Sequence, residues 1–380
     1  MKDGRYTVVE LFEGSMADGG AETLVKDYCL LMDKSVFEPV VLVDWIIKKS
    51  ANYRRLRESG VRILSLYPSY SLFWRGFNKF FREKYVNWKI GRVLGKLKPD
   101  IIHVHLNALK RLEANKDKLD GVRLFYTCHN EPWFYFDNMP EEERAAEMLI
   151  RDYGLRLIAL RPDMAVTLNE KFGIDNTVVI KNGINLDRFR NPVKTRDEVR
   201  RELGIPLSSF LVGHVGRFNE QKNHMFLLDV FAALKQKRPD AFLLLVGKGD
   251  LEGEVRRKMH SLSLDDSVVI ISNRSDIPEI LNALDAFVFP SLYEGLGIVL
   301  VEAQASGIKC VVSDKVNSEV YLSALAVPMS LDASADEWAD VVLDESICGN
   351  YPDRLDEYDI AAEVRKLERL YTGTPDTDGK

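Results

Sequence analysis

Cysteine is scarce in this chain. Four residues, Cys29, Cys128, Cys310 and Cys348, are spread over 380 positions and none forms a C-x-x-C pair. A disulfide framework and a zinc site are therefore not indicated, and buried thiols are expected. Long apolar runs are also missing, since no stretch approaches the roughly 20 residues that cross a bilayer. The opening Met1-Lys-Asp-Gly-Arg-Tyr6 leads directly into an apolar strand-like run, without a signal-peptide core or cleavage site. Cytoplasmic residence is the expectation. Positive charge is not in excess: 52 Lys and Arg against 58 Asp and Glu leave a net charge of −6. That balance argues against a general nucleic-acid binder, so no nucleic acid is expected as a partner. No Gly-x-Gly-x-x-Gly follows the first strand, which weakens a nicotinamide-dependent oxidoreductase, although Asp44 ends the second strand as a ribose-binding acid might.

What is present is an ordinary globular composition, 46% hydrophobic and 29% charged. The chain is too long for one ordinary core, so two units are expected. Short β-rich runs alternate with helix-period stretches throughout, the mark of an α/β protein with parallel sheets covered by helices. Strands are predicted at Thr7–Phe12, Pro39–Asp44, Val61–Leu66, Ile101–Val104, Arg123–Thr127 and Met164–Leu168. In the second half they are predicted at Phe210–Val215, Phe242–Val246, Val268–Ile271, Ala286–Phe289 and Lys309–Val312, with helices such as Asn223–Gln236 and Ile298–Ser306. Turn signals cluster over Asn182–Ser209 and put the joint near residue 192. The expected division is a domain over 1–191, a second over 192–355, a last helix over 356–372 and a disordered tail over 373–380.

In doubly wound sheets ligands bind at the carboxyl ends of strands, so the loops there carry the candidate chemistry. Gly216-Arg217-Phe-Asn-Glu-Gln-Lys222 places two cations at a helix entry, where both suit phosphate oxygens; solvated surface cations are the plainer alternative. Pro290-Ser-Leu-Tyr-Glu294-Gly295-Leu-Gly297 runs into an apolar helix carrying Glu302. Its glycines permit close approach, early helix amides point outward, and carboxylates accept from sugar or ribose hydroxyls. Glu302 lies among apolar neighbours and needs a partner.

In order and spacing these segments resemble a large family of retaining glycosyltransferases with a Glu-x7-Glu motif, which includes bacterial capsule, exopolysaccharide and lipopolysaccharide enzymes. The resemblance spans roughly residues 6 to 371. It also rests on Gly19-Gly20-Ala21-Glu22, Asp100-Ile-Ile-His103-Val-His105, Asn182-Gly183-Ile-Asn-Leu-Asp187-Arg-Phe189, Leu244-Leu-Val-Gly247-Lys-Gly249 and Pro290-Ser291. It implies the GT-B fold, two doubly wound Rossmann-like domains facing across a cleft, with the last helix crossing back to the N-terminal domain. It implies that Arg217 and Lys222 hold a donor diphosphate, Glu302 the ribose, and Glu294 the donor sugar. The amides of Gly295, Leu296, Gly297, Ile298 and Val299 would take sugar and phosphate oxygens, and Gly20 would close over the diphosphate. Asn273 sits where the family often reads the base, next to an unusual Arg274. His129 resembles the family histidine near the reacting carbon, and His105 and Asn130 are acceptor candidates.

The implied reaction moves a sugar from a nucleotide donor to a saccharide or lipid-linked acceptor by same-face attack, with the leaving phosphate taking the proton. Its main demand is stabilising charge on the leaving group. Arg217, Lys222 and a helix start can supply that, and Asp-x-Asp occurs only as Asp376-Thr-Asp378 in the tail, so neither metal nor cofactor is expected. From Phe73 to Lys98 eight Lys or Arg stand against one acidic residue, interleaved with aromatics. That pattern suits an anionic membrane face, and equally an ordinary domain helix. Open alternatives are a phosphorylase or epimerase of the same fold and a catalytically inactive scaffold in a polysaccharide assembly complex. The base, uracil or guanine, the sugar, the acceptor and the oligomeric state are not readable.

Overall fold

The computed structural model describes residues 4–17, 19–67, 79–272, 274–347 and 354–374. It divides into two compact units, one formed by Met1–Asn182 with Ala361–Lys380 and the other by Gly183–Ile360. The division thus falls between Asn182 and Gly183, earlier than the expected 191/192. The reason lies in pairing and packing. Ile184 N–H donates to the Tyr358 carbonyl and Ile360 N–H donates to the Ile184 carbonyl, bridging Ile184 to Asp359, and Leu186 and Phe189 belong to the second core.

The first unit holds a seven-stranded sheet in the order β3-β2-β1-β4-β5-β6-β7. Its strands are β1 (Tyr6–Phe12), β2 (Phe37–Val43), β3 (Arg62–Ser65), β4 (Ile101–His105), β5 (Arg123–Thr127), β6 (Arg156–Ala159) and β7 (Val178–Val179). The second holds a six-stranded sheet, β10-β9-β8-β11-β12-β13, built from β8 (Leu211–Val215), β9 (Phe242–Val246), β10 (Val268–Ile271), β11 (Ala286–Phe289), β12 (Lys309–Ser313) and β13 (Ala326–Met329). All pairs are parallel. Central strands covered on both faces must read as apolar runs, and β9, Phe-Leu-Leu-Leu-Val, and β11, Ala-Phe-Val-Phe, do so. Strand order reverses between β1 and β4 and between β8 and β11, and those reversals open the crevices in which such sheets bind ligands.

One predicted strand is wrong. Met164–Leu168 lies inside the helix Pro162–Phe172, and the strand at this point of the sheet is the short β6 just before it. Pro162 is preset for a helix's first turn, Met164, Ala165 and Leu168 recur on one buried face, and Gly173 closes the helix at φ 63°. The period is therefore helical, although the residues are as apolar as a strand. β7 and β13 were not foreseen; both are short and only partly buried. Cys29, Cys128 and Cys310 are free and buried, whereas Cys348 lies outside the described residues.

Candidate functional site

In the second unit the loops leaving β8 and β11 are tied together. Leu292 N–H donates to the Gln221 carbonyl at 2.8 Å, and Gln221 Nε2 donates to the Tyr293 carbonyl at 2.9 Å and to Glu294 Oε2 at 3.3 Å. Lys222 Nζ meets Glu294 Oε1 at 2.6 Å and lies 4.7 Å from the Phe289 ring centre. The predicted diphosphate and sugar residues are thus in direct contact, with the lysine's charge neutralised by the glutamate. Sequence reasoning missed Gln221, whose amide joins the two loops. Arg217 is different: it is exposed, and its nearest acid, Asp250, is 3.6 Å away on an equally open surface.

The β9 loop closes on the same region. A Cβ on Gly247 would lie 1.9 Å from the Gly216 carbonyl oxygen, and one on Gly249 would lie 2.2 Å from the Phe218 carbonyl oxygen. Both glycines are therefore required for the two loops to touch. Gly297 caps the helix Ile298–Ala305 at φ 72°, a conformation that favours glycine. The first turn of that helix leaves amides without intrahelical acceptors. Leu296 and Val299 bury their side chains in the core, so only their backbone can serve a ligand. Ile298 is half-buried, and Glu302, one turn along, is half-buried and partnered. Beneath the loops His214 Nδ1–H donates to the Val288 carbonyl at 2.9 Å. Its Nε2 and both nitrogens of His224 are buried without a hydrogen-bond partner among the described residues. Burial, then His224 nearby, holds the His214 imidazole well below its ordinary range; burial and the Lys222 charge push that of His224 down to about 4. Asn273 lies outside the described residues. The adjoining Arg274 pairs with Asp276.

The first unit contains a buried chain of polar groups. β1 and β4 are in register at Glu10 and His103, and β4 and β5 at His105 and Thr127, so these side chains share one face of the sheet. His105 Nε2 lies 2.8 Å from Glu10 Oε2, and its Nδ1 lies 3.0 Å from His129 Nε2. His103 spans Thr127 Oγ1 at 2.7 Å and the Tyr371 hydroxyl at 2.6 Å, and that hydroxyl donates to Glu10 Oε1 at 3.2 Å. Glu10, His103 and His105 are fully buried, whereas His129 is half-buried. His105, an acceptor candidate, is at 0% exposure and touches His129. Burial raises the Glu10 carboxyl to about 8, with the Tyr371 hydrogen bond working against the rise. Burial also lowers His105 to about 3 and holds His103 and His129 well below the usual imidazole range. Glu10 could have been noticed as a lone acid in the apolar β1, but nothing local marks Tyr371.

Glu10, His103 and His105 form the only group of metal-capable side chains among the described residues. Their atoms are spent on hydrogen bonds that run through Thr127, Tyr371 and His129 as well, which fits a proton-bearing chain better than a ligand set. Gly20 is the first residue of the helix Gly20–Leu31, and a Cβ there would meet nothing within 4 Å. Packing thus makes no demand for glycine at that position. Asn130 is exposed beside His129. Asp44 cannot serve a ribose, because Arg111 takes both its oxygens at 2.6 and 3.0 Å. In the basic segment the helix Lys79–Leu97 turns Val86, Ile90 and Leu94 into the core, while Phe81 and Trp88 are exposed. Residues 73–78, and Asp376 with Asp378 in the tail, lie outside the described residues. No described helix is long and apolar enough to cross a membrane.

Comparison with known proteins bears on both units. The model "Glycosyltransferase Family 4" matches residues 18–188, and "Glycosyl transferases group 1" matches residues 195–357. A Bacillus subtilis (strain 168) protein named as glycosyltransferase EpsF is 37% identical over 45% of this chain and 45% of its own. A UDP-Gal:alpha-D-GlcNAc-diphosphoundecaprenol alpha-1,3-galactosyltransferase of Escherichia coli is 29% identical over 59% of this chain and 60% of its own. The matches thus span less than two thirds of these relatives' lengths. The crystal structure of Anabaena Alr3699/HepE with UDP and glucose superposes with a TM-score of 0.76 at 19% identity, over 97% of this chain and 100% of that one. With each unit matched by its own family model and the architecture shared, the chain belongs to the group 1 glycosyltransferases and has their GT-B fold of two Rossmann-like domains.

Proposed function

We propose that the chain is a retaining, metal-independent hexosyltransferase that takes a UDP- or GDP-linked sugar and extends a saccharide or lipid-linked saccharide in cell-surface polysaccharide synthesis. The observation that carries this reading is the Lys222–Glu294 contact at 2.6 Å beside the glycine-capped helix Ile298–Ala305, at the carboxyl ends of β8 and β11. A diphosphate there would meet Lys222, Arg217 and helix amides, three sources of positive potential. Together they stabilise the charge that develops as the nucleoside diphosphate leaves. Glu294 and Glu302 accept from hydroxyls, which phosphate oxygens cannot offer. The acceptor hydroxyl attacks the face the donor phosphate leaves and gives its proton to that phosphate. UDP is favoured over GDP by the E. coli relative's name and by the nucleotide in the Anabaena structure. The same relative supports a lipid-diphosphate acceptor.

A thermal-shift series with UDP- and GDP-sugars tests the donor, because a ligand that binds only the folded protein raises its stability by mass action. A shift that persists in chelator is expected. A strict need for divalent metal would overturn the metal-independent reading. Docking at the inner membrane face belongs to the same proposal. Phe81 and Trp88 are 62% and 56% exposed on a helix rich in Lys and Arg, a composition suited to an anionic surface. Flotation with anionic vesicles is expected to carry the protein, and failure to float would remove this part alone.

A further inference from the structure

The hydrogen-bonded chain of the first unit has one end at the surface. Its groups can all be satisfied in a single direction: Thr127 O–H to His103 Nε2, His103 Nδ1–H to the Tyr371 oxygen, and Tyr371 O–H to Glu10 Oε1. From there Glu10 O–H donates to His105 Nε2, and His105 Nδ1–H donates to His129 Nε2. With Nε2 accepting, a neutral His129 carries its proton on Nδ1, the nitrogen with no partner among the described residues. The tautomer of a histidine is set by the bond its other nitrogen makes.

We propose that Glu10 and His105 are positioning residues that fix the proton of His129 on Nδ1 and so present a hydrogen-bond donor to an oxygen of the bound sugar donor. This rests on the reading of His129 as a sugar contact. It goes further by assigning the donor nitrogen and the buried acid that controls it. When Glu10 ionises, the chain reverses. The carboxyl proton passes to His105 Nε2, the His105 Nδ1 proton passes to His129 Nε2, and the proton on His129 Nδ1 leaves to solvent. One proton is lost overall, the charge stays on Glu10, and Nδ1 becomes an acceptor.

The groups facing Glu10 leave it as the one that titrates. His103 and His105 from β4 are held neutral by burial. Tyr28 and Cys29 from the helix Gly20–Leu31 are held well above their ordinary values by burial and then by Glu10 itself, with smaller influences from Asp27 on both, Glu363 on Tyr28 and Lys34 on Cys29. Tyr371, from the helix Ile360–Thr372, is likewise raised by burial and by Glu10. Thr127 from β5 does not titrate. Burial raises Glu10 itself to about 8, so the reversal is expected across that pH.

The test is nitrogen-15 spectroscopy of the full-length protein labelled at histidine, on both sides of that pH, with transfer measured alongside. His129 is expected to be the Nδ1–H tautomer on the acid side and Nε2–H on the alkaline side, with kcat/KM falling about tenfold across the change, the worth of one donor bond. In Glu10→Gln the amide donates to His105 Nε2 at every pH, so the tautomer is expected to stay Nδ1–H and the alkaline fall to vanish. Glu10→Leu is expected to lose the tautomer preference, and Glu10→Gln to restore most of the lost kcat/KM. A His129 tautomer that ignores both pH and residue 10 overturns the proposal. Should Glu10→Leu not fold, wild type against Glu10→Gln decides the matter alone. Unchanged transfer in His129→Ala would remove the sugar contact while the tautomer result stood, which separates the two failures.

Discussion

The two units handle polar side chains in opposite ways. In the second, Lys222 and Glu294 form a pair at 14% and 7% side-chain exposure, with Arg217 fully in reach of solvent beside them. In the first, Glu10, His103 and His105 are at 0% exposure, and His105 joins them to the half-buried His129. A near-surface pair can be re-partnered by an incoming diphosphate, since exchanging one acceptor for another costs little. A buried chain cannot be re-partnered, because each broken bond strands a polar group away from water. The difference suits the one to binding by rearranged contacts and the other to holding a proton in place, as proposed above.

The sharpest way to break this comparison is to remove the near-surface charges. Lys222→Ala is expected to lower kcat/KM by about 10²–10³, the usual worth of one donor to a developing charge, and to weaken UDP binding in calorimetry. Glu294→Ala is expected to reduce transfer far more than UDP affinity. Equal losses would move Glu294 from the sugar to the task of orienting Lys222, which the 2.6 Å contact makes the natural rival. A smaller effect tests the loop architecture. Gly249→Ala is expected to destabilise by about 1–3 kcal/mol because the Phe218 backbone must move, whereas Gly20→Ala changes stability by less than about 0.5 kcal/mol. Paired thermal melts check both.

The pH dependence of stability separates the units. His224 in the second unit and His105 in the first have lowered values of about 4 and about 3 against an ordinary 6.5. Each contributes stability that is present above 6.5 and lost as pH falls toward the lowered value, so both units weaken in acid. Glu10 is raised from 4.5 to about 8, so its contribution is full below 4.5 and is lost as pH rises through 8. The first unit is therefore expected to weaken as pH rises from 4.5 through 8, with Glu142, raised by burial to about 7, adding to the slope, and Glu10→Gln to remove the Glu10 share. Hydrogen exchange resolved by unit across the range is the measurement. The smallest expected effect is Arg217→Ala, which should leave the melting temperature unchanged because its ion pair with Asp250 is open to solvent, yet weaken nucleotide binding.

Much of the second site could be read in the chain itself. Glycines at 295 and 297, the cations at 217 and 222 and the acids at 294 and 302 lie on or just after loops whose strands announce themselves by local apolar runs, so their place at strand ends follows from the strands, while the roles proposed for them rest on the resemblance. Gln221 was overlooked because its part is to join two loops from different crossovers, a relation without local pattern. Met164–Leu168 was misread because a short apolar run does not by itself separate a buried strand from a buried helix face.

What the sequence by itself determined was the α/β alternation, the division into two units though not its place at Asn182/Gly183, and the order of motifs that marks the family. Local periodicity and turn chemistry are short-range properties, so they survive without knowledge of the partner strands. Only the tertiary structure decided that Glu10 lies across from His103, that His105 reaches His129, and that Tyr371 arrives from the far end of the chain to complete the set. Sheet register and the docking of a distant helix are set by burial of whole faces, and no local stretch of residues encodes them.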